Sequence, residues 1–536
     1  DDLDLHETAF LAILPKAPET YSRQKNEQLA LARRNWVLGE MLNNGWIGQS
    51  AHNAAVAKPL GLVQQRATRH STVGEYFIEE VRRRLIDEFG ENEDDGPYSV
   101  YSGGLWVRTS LDPRLQELTT EALRDGLMRY HAGRGYRGPM ARLNPDKGNL
   151  AQQLASSRIT LGYRDWLAAV VTQRGGGATE VALADGTTGR LTSSPDALAV
   201  GDVIAVVKAG EGRFNLRATP EVAGAMLVQN PHNGRILAMQ GGFDHGMSSF
   251  NRATQAMRQP GSTIKPFVYA TAIDQGMTPA SIIVDGSFCV YQSAALGRKC
   301  FTNFGGSRGA GPRTMRWGLE QSRNLMTVRA ANEAGMPNVV KTFKTMGIGD
   351  YQPYLSFALG AGETTVERMV NAYSMLINHG QQLDSSVIDV AQDRHGKVIW
   401  PKRWKACDGC NMPDWNGRSM PRFTPKGKQL MDPVTAYQVV HMLEGVVERG
   451  TATVLRSLDR PLMGKTGTTS GPTNVWFIGG SPDLVAGVYL GFDTPRNMGG
   501  YAQGGSLAAP VFKQFATEAM KDMPKTPFVA PKGTRM

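Results

Sequence analysis

The chain has 536 residues, 41% hydrophobic and 20% charged, which gives room for several domains with real cores and excludes a disordered or collagen-like polypeptide. Its formal net charge of +10 favours an anionic neighbour, such as a membrane surface, an acidic polymer or nucleic acid. The basic residues are spread along the chain in short clusters such as Arg82-Arg83-Arg84, without a nucleic-acid motif, so nucleic acid is not an expected partner.

Residues 1–60 read as helical. Leu5 to Leu14 is apolar and ends at Pro15, and Gln28 to Asn43 sets Leu29, Trp36, Val37 and Met41 on an expected apolar side before Gly45 stops the helix. Tyr76 to Phe89 predicts a further, charge-rich helix. Leu105 to Ser110 reads as a strand, and Asp112-Pro113 opens a helix running to about Tyr130, with Asp as N-cap and Pro at its first position. Residues 131–150, rich in Gly, Arg and Pro, read as loop. Short β runs follow at Leu167–Thr172, Thr179–Leu183, Asp202–Lys208 and Phe214–Ala218, with turn signals at Asp185-Gly186 and 175–177. They predict a small all-β, OB-like barrel over 151–221. Few aromatics there could stack bases, which favours a spacer or a protein-docking module.

From 222 to 536 the pattern predicts a last and largest domain. Gly224–Gln229 and Arg235–Gln240 flank the turn Pro231-His232-Asn233-Gly234. A mostly helical tract is expected to about Asn378. Leu462–Thr468, Val475–Gly479 and Val485–Phe492 read as strands and Pro510–Met520 as a helix. Strands at both ends with helices between imply an α+β fold, in which the first hairpin and the last three strands form one sheet. No apolar run approaches a membrane span, and no signal peptide is visible. Because the chain opens on Asp1-Asp2, an upstream segment is expected.

The chemistry lies in three short segments. Ser262-Thr263-Ile264-Lys265 follows the turn signal Pro260-Gly261, so Ser262 should begin a helix with Lys265 on its face one turn on. A serine hydroxyl needs a base, and a lysine serves once burial or a nearby cation lowers its pKa. Pro266 should disturb the helix ladder there. Ser322-Arg323-Asn324, read as an extended loop, would point its first and last side chains the same way, the serine to relay a proton and the amide to hold a substrate carbonyl. Lys465-Thr466-Gly467-Thr468 ends a strand. Gly467 would admit a substrate backbone, the strand edge could bind a peptide, and the N–H groups of Thr468 and Ser262 could form an oxyanion hole. Lys465, with the Thr466 and Thr468 hydroxyls, suits a terminal carboxylate. Each segment alone is commonplace; the three in this order are not.

The four cysteines form two local pairs, Cys289 with Cys300 and Cys407 with Cys410. Local disulfides in an oxidising compartment are favoured over zinc, because the first pair lacks zinc spacing and no His cluster adjoins either. No cofactor or metal is expected.

From residue 222 onward the chain resembles the transpeptidase domain of class A penicillin-binding proteins, most closely the 1A type. The resemblance rests on Phe250-Asn251-Arg252-Ala253-Thr254-Gln255, Arg258-Gln259-Pro260-Gly261-Ser262, Gln321 to Thr327, Gly464 to Thr469, and Gly505 to Pro510. Leu105 to Gln116 resembles that family's interdomain linker (61–150), residues 10–18 and 27–38 the tail of its glycosyltransferase domain, and 160–219 its OB-like insertion. The resemblance implies an enzyme at the periplasmic face of the bacterial inner membrane, held by an upstream anchor. It would cross-link peptidoglycan stem peptides on glycan strands and be acylated by β-lactams at Ser262. The glycosyltransferase catalytic residues would lie upstream of Asp1, and a protein partner for the OB-like module is expected. Many relatives place an Asp before the Trp-Phe pair; here Asn474-Val475 precedes Trp476-Phe477. A D,D-carboxypeptidase, a β-lactamase or a non-catalytic penicillin sensor could use the same motifs. A β-lactamase needs a second base for its water, and no obvious Glu-x-x-x-Asn stands just after the Ser322 segment.

Overall fold

The computed structural model describes residues 3–22, 26–60, 73–157, 159–293, 297–402, 427–532 and 534. The chain divides into two compact units, residues 1–72 and 73–536.

The first unit is helical: α1 Leu5–Ile13, α2 Pro18–Tyr21, α3 Glu27–Asn43 and α4 Gln49–Ala57. The expected apolar face of α3 is corrected in part. Leu29 and Trp36 are exposed, with the Arg33 guanidinium 4.0 Å above the Trp36 ring. The buried stripe is Ala30, Arg34 and Leu38, spaced four apart. Arg34 is there because α4 ends beside it: its guanidinium donates to the carbonyls of Val56, Lys58 and Pro59 at 3.1, 2.8 and 3.3 Å, acceptors that the helix end leaves open.

The second unit opens with α5 Glu75–Phe89, β1 Trp106–Thr109 and α6 Pro113–His131. Asp112 caps α6, its carboxylate accepting the Leu115 N–H at 3.0 Å. The expected loop at 131–150 instead holds β2 Ala141–Arg142 and leads into α7 Leu150–Ser156, which Asn149 caps by accepting two backbone N–H groups. A barrel follows from β3 Leu167–Gly175, β4 Ala178–Leu183, β5 Thr188–Leu191, β6 Asp202–Lys208 and β7 Arg213–Arg217. The order is β3-β4-β5-β7-β6 and back to β3, with only the β5–β7 pairing parallel. This closed, OB-like arrangement has Val171, Val181, Ile204, Val206 and Phe214 in its core.

β8 Ala223–Gln229 and β9 Ile236–Gln240 form the next hairpin. A 3₁₀ turn, Gly261–Ile264, runs into α8 Lys265–Asp274. The expected helical tract is corrected over 282–314, where β10 Ile282–Asp285 pairs with β13 Gly311–Thr314, and β11 Phe288–Ser293 pairs with β12 Gly297–Phe301 between them. Cys289 and Cys300 face each other in the inner hairpin and are joined by a disulfide. The cross-strand partners, rather than apolar periodicity, hold this segment extended. Cys407 and Cys410 lie outside the described residues.

Then come α9 Met315–Glu320, α10 Asn324–Ala334, α11 Met336–Thr345, α12 Val366–Ile377, β14 Ile388–Gln392, β15 Val398–Trp400, α13 Pro433–Glu448, β16 Met463–Thr468, β17 Asn474–Gly480, β18 Val485–Gly491 and α14 Ala509–Ala519. The main sheet has the order β16-β17-β18-β8-β9, antiparallel throughout, so the two terminal strand groups meet as expected. β8 and β18 pair with Leu227 opposite Gly487, which packs on Val366 and Val370 of α12; Gly224, three residues from Leu227, packs on Leu123 and Leu127 of α6. The two helices therefore cover opposite faces. β16 is the sheet's outer strand and forms one wall of the site.

Candidate active site

A cleft of about 760 Å³ opens where the 3₁₀ turn at Gly261, the start of α10 and the β16 edge converge. Ser262, Ser322, Asn324, Thr466 and Thr468 line it. Lys265 and Lys465 lie beneath this wall, each fully buried.

Ser262 sits in the 3₁₀ turn and Lys265 is the first residue of α8. Pro266 therefore falls at the second helical position, where no backbone N–H has an intrahelical partner, and the expected disturbance of the ladder does not occur. The turn is held from below by the Tyr373 hydroxyl, which donates to the Thr263 carbonyl at 2.6 Å.

Lys265 Nζ donates to the Ser322 carbonyl and to Asn324 Oδ1, each at 2.7 Å, and lies 3.5 Å from Ser322 Oγ. Ser322 adopts φ 55, in the left-handed region, and Asn324 is the first residue of α10, so the expected extended loop is corrected. The left-handed turn presents both the carbonyl and the hydroxyl of Ser322 to the lysines. That conformation costs a non-glycine residue about 1 kcal/mol. The Asn324 amide gives one N–H to the Thr302 carbonyl at 3.0 Å, leaving one for a ligand in the cleft.

Burial pushes the Lys265 ammonium well below the usual lysine range; the charges of Lys465 and Arg323 act in the same direction, and Asp285 opposes them. Lys465 Nζ contacts Ser322 Oγ at 2.7 Å and the Thr466 carbonyl at 3.0 Å, and burial brings its pKa to about 7. Lys465 is buried behind Ser322 and Thr466. The Thr466 hydroxyl pairs with that of Thr451 at 2.6 Å, and Thr468 Oγ1 accepts the Gly504 N–H at 3.1 Å.

Just past the end of β16 the Thr469 N–H binds the Asn474 carbonyl at 3.1 Å. Antiparallel alternation then turns the N–H groups of Thr468 and Thr466 away from β17, toward the free edge. Thr468 lies against Gly261: a Cβ there would come 3.0 to 3.3 Å from the Thr468 backbone, and φ of +53 favours glycine there too. Gly467 packs against the serine turn. A Cβ on it would stand 2.6 Å from the Pro260 carbonyl and 2.9 Å from Thr263 Cγ2, so it lets the serine turn close onto the strand. Asn474 is buried, its Oδ1 receiving the Tyr489 hydroxyl at 3.3 Å, and it shapes the β16–β17 turn.

Sequence reasoning missed Asp285, Asn303 and Thr451, which contact the motif residues through side chains; no motif marks them. Among the described residues no cluster able to hold a metal ion is present.

Residues 224–517 match the family described as penicillin binding protein transpeptidase domain. Penicillin-binding protein 1A of Rickettsia bellii is 36% identical over 551 residues, covering 100% of this chain and 68% of that protein. Penicillin-binding protein 1A of Neisseria flavescens is 31% identical, covering 99% and 66%. The crystal structure of penicillin-binding protein 1A from Haemophilus influenzae superposes with a TM-score of 0.76 at 27% identity, covering 99% of this chain and 82% of that one. With its paired lysines on Ser322 and its serine turn closed onto an outer strand, this chain belongs to the penicillin-binding protein transpeptidase family, among the class A proteins of the 1A type.

Proposed function

We propose that Ser262 is the nucleophile of this serine-type D-Ala-D-Ala transpeptidase and Lys265 its base. One observation carries the reading. A neutral lysine has two N–H donors and one lone pair, and two 2.7 Å hydrogen bonds commit both donors to Ser322 and Asn324. On this reading the lone pair takes the Ser262 proton, and burial, by lowering the pKa, favours the neutral amine that carries it.

The Ser262 oxygen adds to the carbonyl between the two D-alanines as its proton passes to Lys265. The N–H groups of Ser262 and Thr468 stabilise the oxyanion. Collapse forms the ester and breaks the C–N bond; the proton reaches the departing amine of D-alanine through Ser322 Oγ, which lies between the two lysines. The amine of a second stem then attacks the ester, releasing Ser262 and forming the cross-link. Lys465 contributes positive charge behind Thr466 and Thr468, whose hydroxyls line the cleft where the terminal carboxylate would lie. The single free Asn324 N–H binds the donor peptide carbonyl. β-Lactams acylate the same serine.

Family membership extends the proposal. The whole protein pairs this activity with a glycosyltransferase, works at the periplasmic face of the inner membrane through an N-terminal anchor, and uses the barrel at 167–217 to dock a protein partner. Incubation with a defined donor stem and acceptor amine tests the central reaction: D-alanine release with cross-linked product supports it. Hydrolysed stem alone points to a carboxypeptidase, and rapid penicillin turnover to a β-lactamase. Lys265→Met should slow acylation by about 10³-fold; a wild-type rate would assign the base elsewhere.

A further inference from the structure

We propose that Asn303 and Asp285 are positioning residues for this reaction: together they fix the turn that aims Ser322 and Asn324 at Lys265. The proposal rests on Lys265 being the base. α10 begins immediately after the left-handed Ser322, yet its own N-cap position, Arg323, supplies no side-chain cap. Asn303 does so from outside the helix. Its Oδ1 accepts the N–H groups of Asn324 and Leu325 at 2.9 and 3.2 Å, satisfying donors that the helix start leaves open.

Asn303 is in turn oriented by Asp285. Asn303 Nδ2 donates to Asp285 Oδ1 at 2.9 Å, while Asp285 Oδ2 accepts the Ala310 N–H at 2.9 Å and Arg323 Nε at 2.8 Å. Arg323 also reaches Ser307 Oγ and the Arg308 carbonyl. Asp285 and Asn303 are 1% and 3% exposed, so water cannot replace these bonds cheaply. Burial alone would raise the Asp285 carboxyl, but the three donors outweigh it and hold it below the usual carboxylate range. The result is a buried anion whose field favours the Lys265 ammonium, against the effects of burial, Lys465 and Arg323.

Two consequences separate positioning from mere packing. Without Asn303 the acceptors of Lys265 lose their fixed places and its lone pair loses its direction. Without the Asp285 charge Lys265 gives up its proton at lower pH. The test measures acylation of the full chain by fluorescent penicillin from pH 5 to 9, with peptide mapping of the label. Asn303→Ala should acylate about 10- to 100-fold more slowly, label still on Ser262. Asp285→Asn should shift the rising limb of the pH–rate profile to lower pH. Asn303→Asp alone sets two carboxylates face to face and should be as slow as Asn303→Ala. Combined with Asp285→Asn, it restores a carboxylate–amide pair and should regain at least tenfold over Asn303→Asp.

An Asn303→Ala rate within twofold of wild type, an unmoved Asp285→Asn profile, or a double variant no faster than Asn303→Asp overturns the proposal. If Asn303→Ala does not fold, the exchanged pair decides. Label surviving Ser262→Ala would instead overturn the nucleophile assignment, which keeps the two failures distinct.

Discussion

Gly467→Ala tests whether the serine turn must close on the β16 edge. The added methyl would stand 2.6 Å from the Pro260 carbonyl oxygen, 2.9 Å from Thr263 Cγ2 and 3.1 Å from Trp476 Cβ. Ordinary contact begins at 3.4 Å, so turn and strand must part by about 0.8 Å, the difference between 3.4 and 2.6. Neither side yields easily, since β16 is fixed by β17 and the turn by Tyr373. Overpacking of this kind costs about 1–3 kcal/mol in stability. A displacement near 1 Å between Ser262 and the Thr468 N–H costs on the order of 10²-fold in rate. Acylation should therefore fall far more than the melting temperature. Gly500→Ala, with no atom within 4 Å of its added methyl, is the control. Stopped-flow acylation and thermal melts of both variants give the answer. A Gly467→Ala enzyme acylating within twofold of wild type would refute the reasoning.

Lys465 supplies a pH dependence. Its folded pKa of about 7 lies below the usual 10.5, so from pH 7 to about 10 the unfolded chain holds more protons and stability rises with pH. The slope from this group is at most about 1.4 kcal/mol per pH unit, and Lys465→Met should remove it from urea-unfolding midpoints. Tyr373→Phe deprives the Thr263 carbonyl of its 2.6 Å donor and should cost about 1–2 kcal/mol, read from melts, with a slower acylation. In the helical unit, Arg34→Met leaves the Val56, Lys58 and Pro59 carbonyls without their donor and should speed hydrogen exchange in α4; Trp36→Ala, at an exposed site, should not.

The main sheet was legible because its strands are apolar runs bounded by strong turn signals, from Gly224–Gln229 to Val485–Phe492. The capped helix at Asp112-Pro113 was legible for the same local reason. The nested hairpins at 282–314 were not: their strands carry Pro312, Arg313, Arg298 and Lys299, and the outer pair joins strands on either side of the inner hairpin. Apolar periodicity also misplaced part of the α3 face, because a buried arginine, serving the end of α4, occupies the stripe that Leu29 and Trp36 were expected to share. At the site, the spacing of Ser262, Lys265, Ser322, Asn324 and Lys465 could be read directly. The left-handed Ser322, the burial of both lysines and the Asp285–Asn303 support could not, since each depends on segments that meet only in the folded chain.

The central claim concerns which atom is acylated. Peptide mapping by mass spectrometry after brief exposure to a penicillin, on wild type, Ser262→Ala and Lys265→Met, tests it most directly. A single adduct on Ser262 is predicted in the wild type, none in Ser262→Ala, and only a trace in Lys265→Met at equal time. An adduct on another residue, or one that survives Ser262→Ala, would contradict the assignment.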